Sequence, residues 1–146
     1  MSTASDRPPG GKPAFSWQGR LAGEKATLAL GEKLGRLLTP PRLLALVGEL
    51  GSGKTRLVKG LARGLGIDPD RVHSPTFNLA HQHQGRCPLF HLDLYRLSGP
   101  EEFLAIGGEE WLAARALVAI EWADRIPDLL PPDTLWIHLR AGPRPG

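Results

Sequence analysis

Gly48-Glu49-Leu50-Gly51-Ser52-Gly53-Lys54-Thr55 decides the reading of this chain. These eight residues fit G-x-x-x-x-G-K-[ST], and their flanks come in the order such a segment needs. Upstream, Leu43-Leu44-Ala45-Leu46-Val47 is a short apolar run suited to a buried parallel strand. Downstream, Leu57, Val58, Leu61 and Leu65 recur at helical spacing and predict a helix from Lys54 to about Leu65. Strand, glycine-rich turn and helix together predict a loop that holds the phosphates of a nucleoside triphosphate.

Each residue type in the loop has a physical reason. Glycines let successive backbone N–H groups curl around an anion with no Cβ in the way, and the helix that follows adds its unpaired N–H groups and positive end. Lys54 is expected to reach the β- and γ-phosphates as a mobile point charge, and the Thr55 hydroxyl to ligate Mg2+. Gly48, Glu49, Leu50, Gly51, Ser52 and Gly53 supply the backbone cradle.

A chain of 146 residues suits one domain, large enough for a sheet covered on both faces. One cysteine rules out an internal disulfide framework, and no apolar run approaches the roughly 18 residues of a membrane span. The opening MSTASDRPPGGKP has no hydrophobic signal core, so a cytoplasmic location is expected. The formal net charge of +3 belongs wholly to the two ends, where Arg7 and Lys12 oppose Asp6 and where Arg140 and Arg144 lie; the body is formally neutral. That distribution weakens a nucleic-acid reading but leaves direct RNA contact open, since the basic residues are mostly arginine, which suits RNA or phosphate as well as solvated surface.

Residues 1–13 and 141–146 are rich in Pro, Gly and small polar types and are expected to be flexible tails around a single domain over 14–140. A strand is expected near 14–18. An amphipathic helix over 23–38, with Leu30, Leu34, Leu37 and Leu38 on one face, ends at Pro40-Pro41. Beyond the loop helix, Asp68-Pro69-Asp70 marks a turn, and Ser74-Pro75-Thr76-Phe77 leads into a strand through Gln84. A turn at Gly85 returns the chain over 89–95 as the second arm of a hairpin. Residues 100–116 read as helix interrupted at Gly107-Gly108, 117–121 as a buried strand, 122–129 as a short helix and 134–139 as a last strand. Strands separated by crossover helices predict a three-layer α/β fold with a mainly parallel sheet and a hairpin insertion.

Two carboxylates end apolar strands. Asp93 closes Leu89-Phe90-His91-Leu92 and is the expected Mg2+ partner, directly or through a coordinated water. Glu121 closes Leu117-Val118-Ala119-Ile120 at the strand end where ligands of parallel sheets bind; it is a candidate to orient or deprotonate water, or to complete the magnesium shell. Trp122 lies beside the nucleotide or beneath it. Thr76, next to a Pro-constrained turn, reaches phosphate or metal when its loop folds inward. His81, His83, Cys87 and His91 flank the hairpin turn, but no compact C-x-x-C pair or H-E-x-x-H helix supports a zinc site, and they read as ordinary hairpin residues.

With these segments in view, the chain resembles the bacterial TsaE (YjeE) ATPases of tRNA threonylcarbamoyladenosine biosynthesis. The resemblance runs through GELGSGKT (48–55), SPTF (74–77), HLDLYRL (91–97), EEFLAIG (101–107) and IEWADRI (120–126), and it spans about residues 15–139. It implies a P-loop NTPase fold and Mg2+-dependent ATP hydrolysis, with Lys54 and Thr55 at the phosphates and metal, Thr76 in a switch-like segment, Asp93 at the Walker B position and Glu121-Trp122 as the active-site pair. It also implies association with TsaB and TsaD family proteins, a functional link to the TsaC or Sua family synthase, and a tRNA whose adenosine 37 the assembly modifies. One departure stands out: Arg56 occupies the place where the family commonly has a second Thr after GKT. The residues themselves leave two rivals, a nucleotide-controlled assembly scaffold and, with less room for an acceptor, a small-molecule kinase. A guanine-reading N-K-x-D segment is absent.

Overall fold

The central strands form because their residues are apolar on both faces. In the computed structural model, which describes residues 2–5 and 16–141, Arg42–Val47 is strand β3, and Leu43, Leu44, Ala45 and Leu46 are all buried. Leu44 and Leu46 face one core layer; Leu43 and Ala45 face the other. Leu117–Glu121 is buried at every position and pairs parallel to β3. With β1 (Ser2–Ser5), β2 (Ser16–Gly19), β4 (Ala80–Gln84) and β5 (Pro88–Asp93) numbered along the chain, Leu117–Glu121 is β6 and Leu135–Leu139 is β7.

These strands make one sheet in the order β2-β1-β7-β3-β6-β5-β4. Strands β7, β3, β6 and β5 are mutually parallel and form its centre. The pairings β4–β5, β1–β7 and β1–β2 are antiparallel. The sheet is therefore mixed rather than mainly parallel, with a parallel centre and antiparallel pairings toward both edges. The β4–β5 hairpin appears as expected, with the Gly85 N–H bonded to the Cys87 carbonyl across its turn at 3.2 Å.

Helices α1 (Gly23–Leu37) and α2 (Lys54–Gly64) cover one face. Their backbones meet at Gly31 and Gly35 of α1 against Gly60 and Gly64 of α2, where a Cβ built on Gly31 would stand 3.0 Å from the Gly60 Cα. One expectation is corrected at the end of α1. Leu30, Leu34 and Leu38 pack on the core, but Leu37, the last helical residue, is 69% exposed. On the other face, α3 (Pro100–Ala105) and α4 (Glu109–Leu112) enclose Phe103 with Ile126 and Trp136. The break between them falls at Gly107, whose φ of +78° leaves the helical region, and helix ends at Leu112 rather than at 116.

Other boundaries moved for local reasons. Strand β4 starts only at Ala80, because Leu79 has φ +67° and residues 74–79 turn back on themselves. Strand β5 ends at Asp93, whose carboxylate accepts the Tyr95 N–H and starts a turn. In place of one helix over 122–129 there are two 3-10 turns, Ala123–Arg125 and Pro127–Leu129, divided by the proline. Within the expected N-terminal tail, Ser2–Ser5 instead forms β1, which joins the sheet through backbone pairing that composition does not register. Residues 6–13, expected to be flexible, and 142–146 lie outside the described residues, as do Ala14 and Phe15.

Candidate functional site

Register brings the acidic residues together. Asp93 of β5 lies directly beside Glu121 of β6, and Glu121 lies beside Leu46 of β3, one residue before the strand ends. The glycine-rich loop leaves β3 at that edge, with Gly51 at φ +80° and Gly53 at φ +107°, both in the region that side chains disfavour. Gly53 caps α2 and offers no side chain to its first turn. The positive end of an 11-residue helix therefore opens at the carboxyl edge of the parallel strands.

Lys54, only 4% exposed, bends back on its own loop, and its ammonium donates to the Gly48 and Glu49 carbonyls, the latter at 2.9 Å. It also sits 4.3 Å from the centre of the Trp122 ring. Burial pushes its pKa down, and the negative charges of Glu121, Asp93 and Asp124 oppose that shift. The Thr55 hydroxyl donates to the Glu121 carboxylate, 3.0 and 2.9 Å from its two oxygens. Glu121 is 3% exposed, and its Oε2 also lies 2.5 Å from the His91 Nε2.

Asp93 anchors the loop between the 3-10 turn at Pro69–Arg71 and β4. Its Oδ2 accepts from the Ser74 hydroxyl at 2.7 Å and from the Thr76 hydroxyl at 2.9 Å, while Oδ1 accepts the Tyr95 N–H at 2.9 Å. Trp122 adopts left-handed backbone at φ +58°, which swings its ring against Tyr95, with ring centres 5.0 Å apart. The Arg125 guanidinium lies 5.5 Å from the Trp122 ring centre and donates to the Tyr95 carbonyl at 3.3 Å.

A cavity of about 1000 Å³ gathers these groups. Leu50, Gly51, Ser52, Gly53, Lys54 and Thr55 line it together with Thr76, Asp93, Glu121 and Trp122. Gly48 and Glu49, expected as part of the cradle, do not line it; their carbonyls hold the Lys54 ammonium. The cavity continues between residues 20–27 and 139–141, leaving room beyond the loop for more than phosphates. Arg56, the departure from the family pattern, lines the same cavity and pairs with Glu24 of α1 at 3.2 Å, both side chains solvent-accessible.

The polar donors are hard oxygens, the hydroxyls of Thr55, Ser74 and Thr76 and the carboxylates of Asp93 and Glu121, and they suit Mg2+ rather than a soft metal. The described residues contain no cluster of three or more His, Cys, Asp or Glu placed to hold a metal. A cation here would take one or two carboxylates with water and ligand oxygens, the usual manner of Mg2+.

Three contributors were not assigned to this site from the sequence, where His91 read as an ordinary hairpin residue although it is 0% exposed. Ser74 shares the Asp93 carboxylate with Thr76, and its position two residues earlier in the same turn was the available signal. His91 lies two residues before Asp93, so strand alternation puts both on one face. The wall at residues 20–27 had no local signal, since only the packing of α1 against α2 brings it there.

The family model described as "Threonylcarbamoyl adenosine biosynthesis protein TsaE" matches residues 21–144. Among relatives named tRNA threonylcarbamoyladenosine biosynthesis protein TsaE, that of Treponema pallidum is 43% identical over 78% of this chain and 84% of its own. The one from Bacillus subtilis is 36% identical over 84% of this chain and 77% of its own. The crystal structure of Bacillus subtilis YdiB superposes with a TM-score of 0.66 at 31% identity, covering 86% of this chain and 77% of that one. With a match that spans both the glycine-rich loop and the two acidic strand ends, the chain belongs to the TsaE family.

Proposed function

We propose that this chain is a Mg2+-dependent ATPase of P-loop NTPase architecture that supports threonylcarbamoylation of adenosine 37 in ANN-decoding tRNAs. It acts in the cytoplasm within an assembly that includes TsaB and TsaD family proteins and depends on the TsaC or Sua family synthase. The observation that carries the reading is the convergence of Lys54, Thr55, Asp93 and Glu121 on one cavity at the open end of α2. Among the described residues no helix is long and apolar enough to cross a membrane.

The residues divide the work by chemistry. Lys54 releases the Gly48 and Glu49 carbonyls and turns its ammonium toward the phosphates, while the α2 amides and the loop backbone bind the remaining oxygens. Thr55 and Asp93 would hold Mg2+, which when bound neutralises phosphate charge. Glu121 already accepts a hydrogen bond from the Thr55 hydroxyl, and it accepts the hydrogen bond of the attacking water in the same way, orienting it or taking its proton. Trp122 and Tyr95, with ring centres 5.0 Å apart, give the cavity an aromatic wall.

A second reading has its own support. Lys54, Thr55 and Asp93 all have internal partners, an arrangement suited to a site that turns over only when an assembly partner rearranges it. A nucleotide-controlled scaffold would use the same groups with little hydrolysis.

Two variants test the division of roles. Lys54→Ala is expected to weaken nucleotide binding in equilibrium titration. Glu121→Gln is expected to keep affinity within a few-fold while turnover with partners falls roughly 10²- to 10⁴-fold, the range of a lost general base. Parent-level turnover in Glu121→Gln would remove Glu121 from the mechanism.

A further inference from the structure

His91 is 0% exposed, in a strand whose neighbours are otherwise apolar apart from Asp93 at its end. Its Nδ1 is buried without a hydrogen-bond partner, while its Nε2 stands 2.5 Å from the Glu121 Oε2. In the neutral ring the unpartnered nitrogen is the one without a proton, so the N–H is at Nε2 and points at the carboxylate. The reach is diagonal: His91 pairs in register with Ala119, two residues before Glu121 on the same face of the neighbouring strand.

Glu121 is thus gripped from two sides. Thr55 donates to it from the glycine-rich loop, and His91 donates from within the sheet. The two partners differ in permanence. The Thr55 hydroxyl lies in the cavity wall, where ligand binding reorganises it, whereas no water can replace the imidazole at its buried position.

We propose that His91 is a positioning residue for the hydrolytic reaction, fixing the Glu121 carboxylate through an Nε2–H bond so that its water-facing lone pairs keep one direction as the loop changes partners. The inference rests on the reading of Glu121 as the group that orients water. His91 touches neither nucleotide nor water and acts only through that carboxylate.

The test uses the full chain with its assembly partners, comparing His91→Leu, which fills similar volume without a donor, with His91→Gln, whose amide N–H can replace the Nε2–H. The expected result is a fall in kcat of about 10- to 100-fold for His91→Leu, the usual scale for losing a group that orients an active-site ligand. KM and equilibrium nucleotide affinity should stay within about threefold. His91→Gln should recover most of the rate, and His91→Leu added to Glu121→Gln should cost nothing further.

Imidazole NMR of the nucleotide-free parent supplies a readout independent of turnover and of variant folding. One histidine N–H, absent in His91→Gln, should be protected from solvent exchange and should shift in Glu121→Gln. Absence of a protected imidazole proton would overturn the inference. So would parent-level kcat in folded His91→Leu when Glu121→Gln is impaired, or losses in His91→Leu and Glu121→Gln that add. If Glu121→Gln itself retains parent turnover, the reading of Glu121 fails first and the role of His91 falls with it, even where the protected proton is seen.

Discussion

Replacing Ser74 by Ala and Thr76 by Val together should loosen residues 74–79 without disturbing the sheet. Both hydroxyls converge on the Asp93 Oδ2, at 2.7 and 2.9 Å, and they lie 2.8 Å from each other. A hydrogen bond to a charged acceptor nets about 1.5–3 kcal/mol where water is excluded. Here Ser74 is exposed and Thr76 half-buried, so water can take over part of each bond, and about 0.5–1 kcal/mol apiece is the appropriate scale. Together they come to about 1–2 kcal/mol, which at about 1.4 kcal/mol per decade is roughly a 5- to 30-fold rise in the opening equilibrium of the loop. The reporter is the Leu79 amide, which donates to the Pro75 carbonyl at 2.7 Å inside this segment. Its hydrogen-exchange protection, read by NMR, should drop by that factor, while the Ile120 amide in the buried strand β6 stays unchanged. Unaltered exchange at Leu79 would refute the idea that Asp93 anchors this loop and with it the coupling of Thr76 to the acidic site.

Further consequences concern stability. Gly60→Ala should destabilise the protein by about 1–3 kcal/mol, the scale of overpacking, although alanine alone would favour the helix by about 1 kcal/mol. The reason is that the added Cβ would run into the Leu28 carbonyl and stand 3.0 Å from the Gly31 Cα, and a denaturant midpoint equal to or above the parent's would contradict this packing. His83 should make acid conditions unfavourable. Burial, the largest cause, lowers its pKa below 6.5. The folded state then binds fewer protons than the unfolded chain between the lowered value and 6.5, so stability rises with pH through that window, with the penalty complete below it and gone above 6.5. His83→Gln should flatten that part of the pH–stability curve, and an unchanged slope in urea unfolding would remove His83 as its source.

Much of the architecture was legible because local pattern and tertiary role agree in the sheet centre. Leu43 to Val47 and Leu117 to Ile120 are short apolar runs, and apolar runs of that length belong to strands covered on both faces. The loop was legible for the same reason: glycines at 51 and 53 are needed where φ is positive. The edges were not. Ser2–Ser5 joins the sheet through main-chain bonds, which leave no side-chain pattern, and the break before β4 depends on Leu79 accepting left-handed backbone.

The acidic residues were found by position at strand ends, but their partners needed register. Nothing local says that Asp93 and Glu121 lie side by side, and only that pairing lets Thr55, His91, Ser74 and Thr76 share two carboxylates. The close seam of Gly31, Gly35, Gly60 and Gly64 was also hidden, because glycines within helices read as weak helix formers until the facing helix is known.

The central claim is nucleotide hydrolysis in the service of tRNA modification, and its most direct test is Mg2+-dependent ATP turnover by the purified chain, alone and then with TsaB and TsaD family proteins, the TsaC or Sua family synthase and tRNA. Turnover that rises on assembly, vanishes without Mg2+ and is abolished by Lys54→Ala is the result this account predicts. Confirmed nucleotide binding and complex formation without stimulated hydrolysis would contradict it and favour the scaffold.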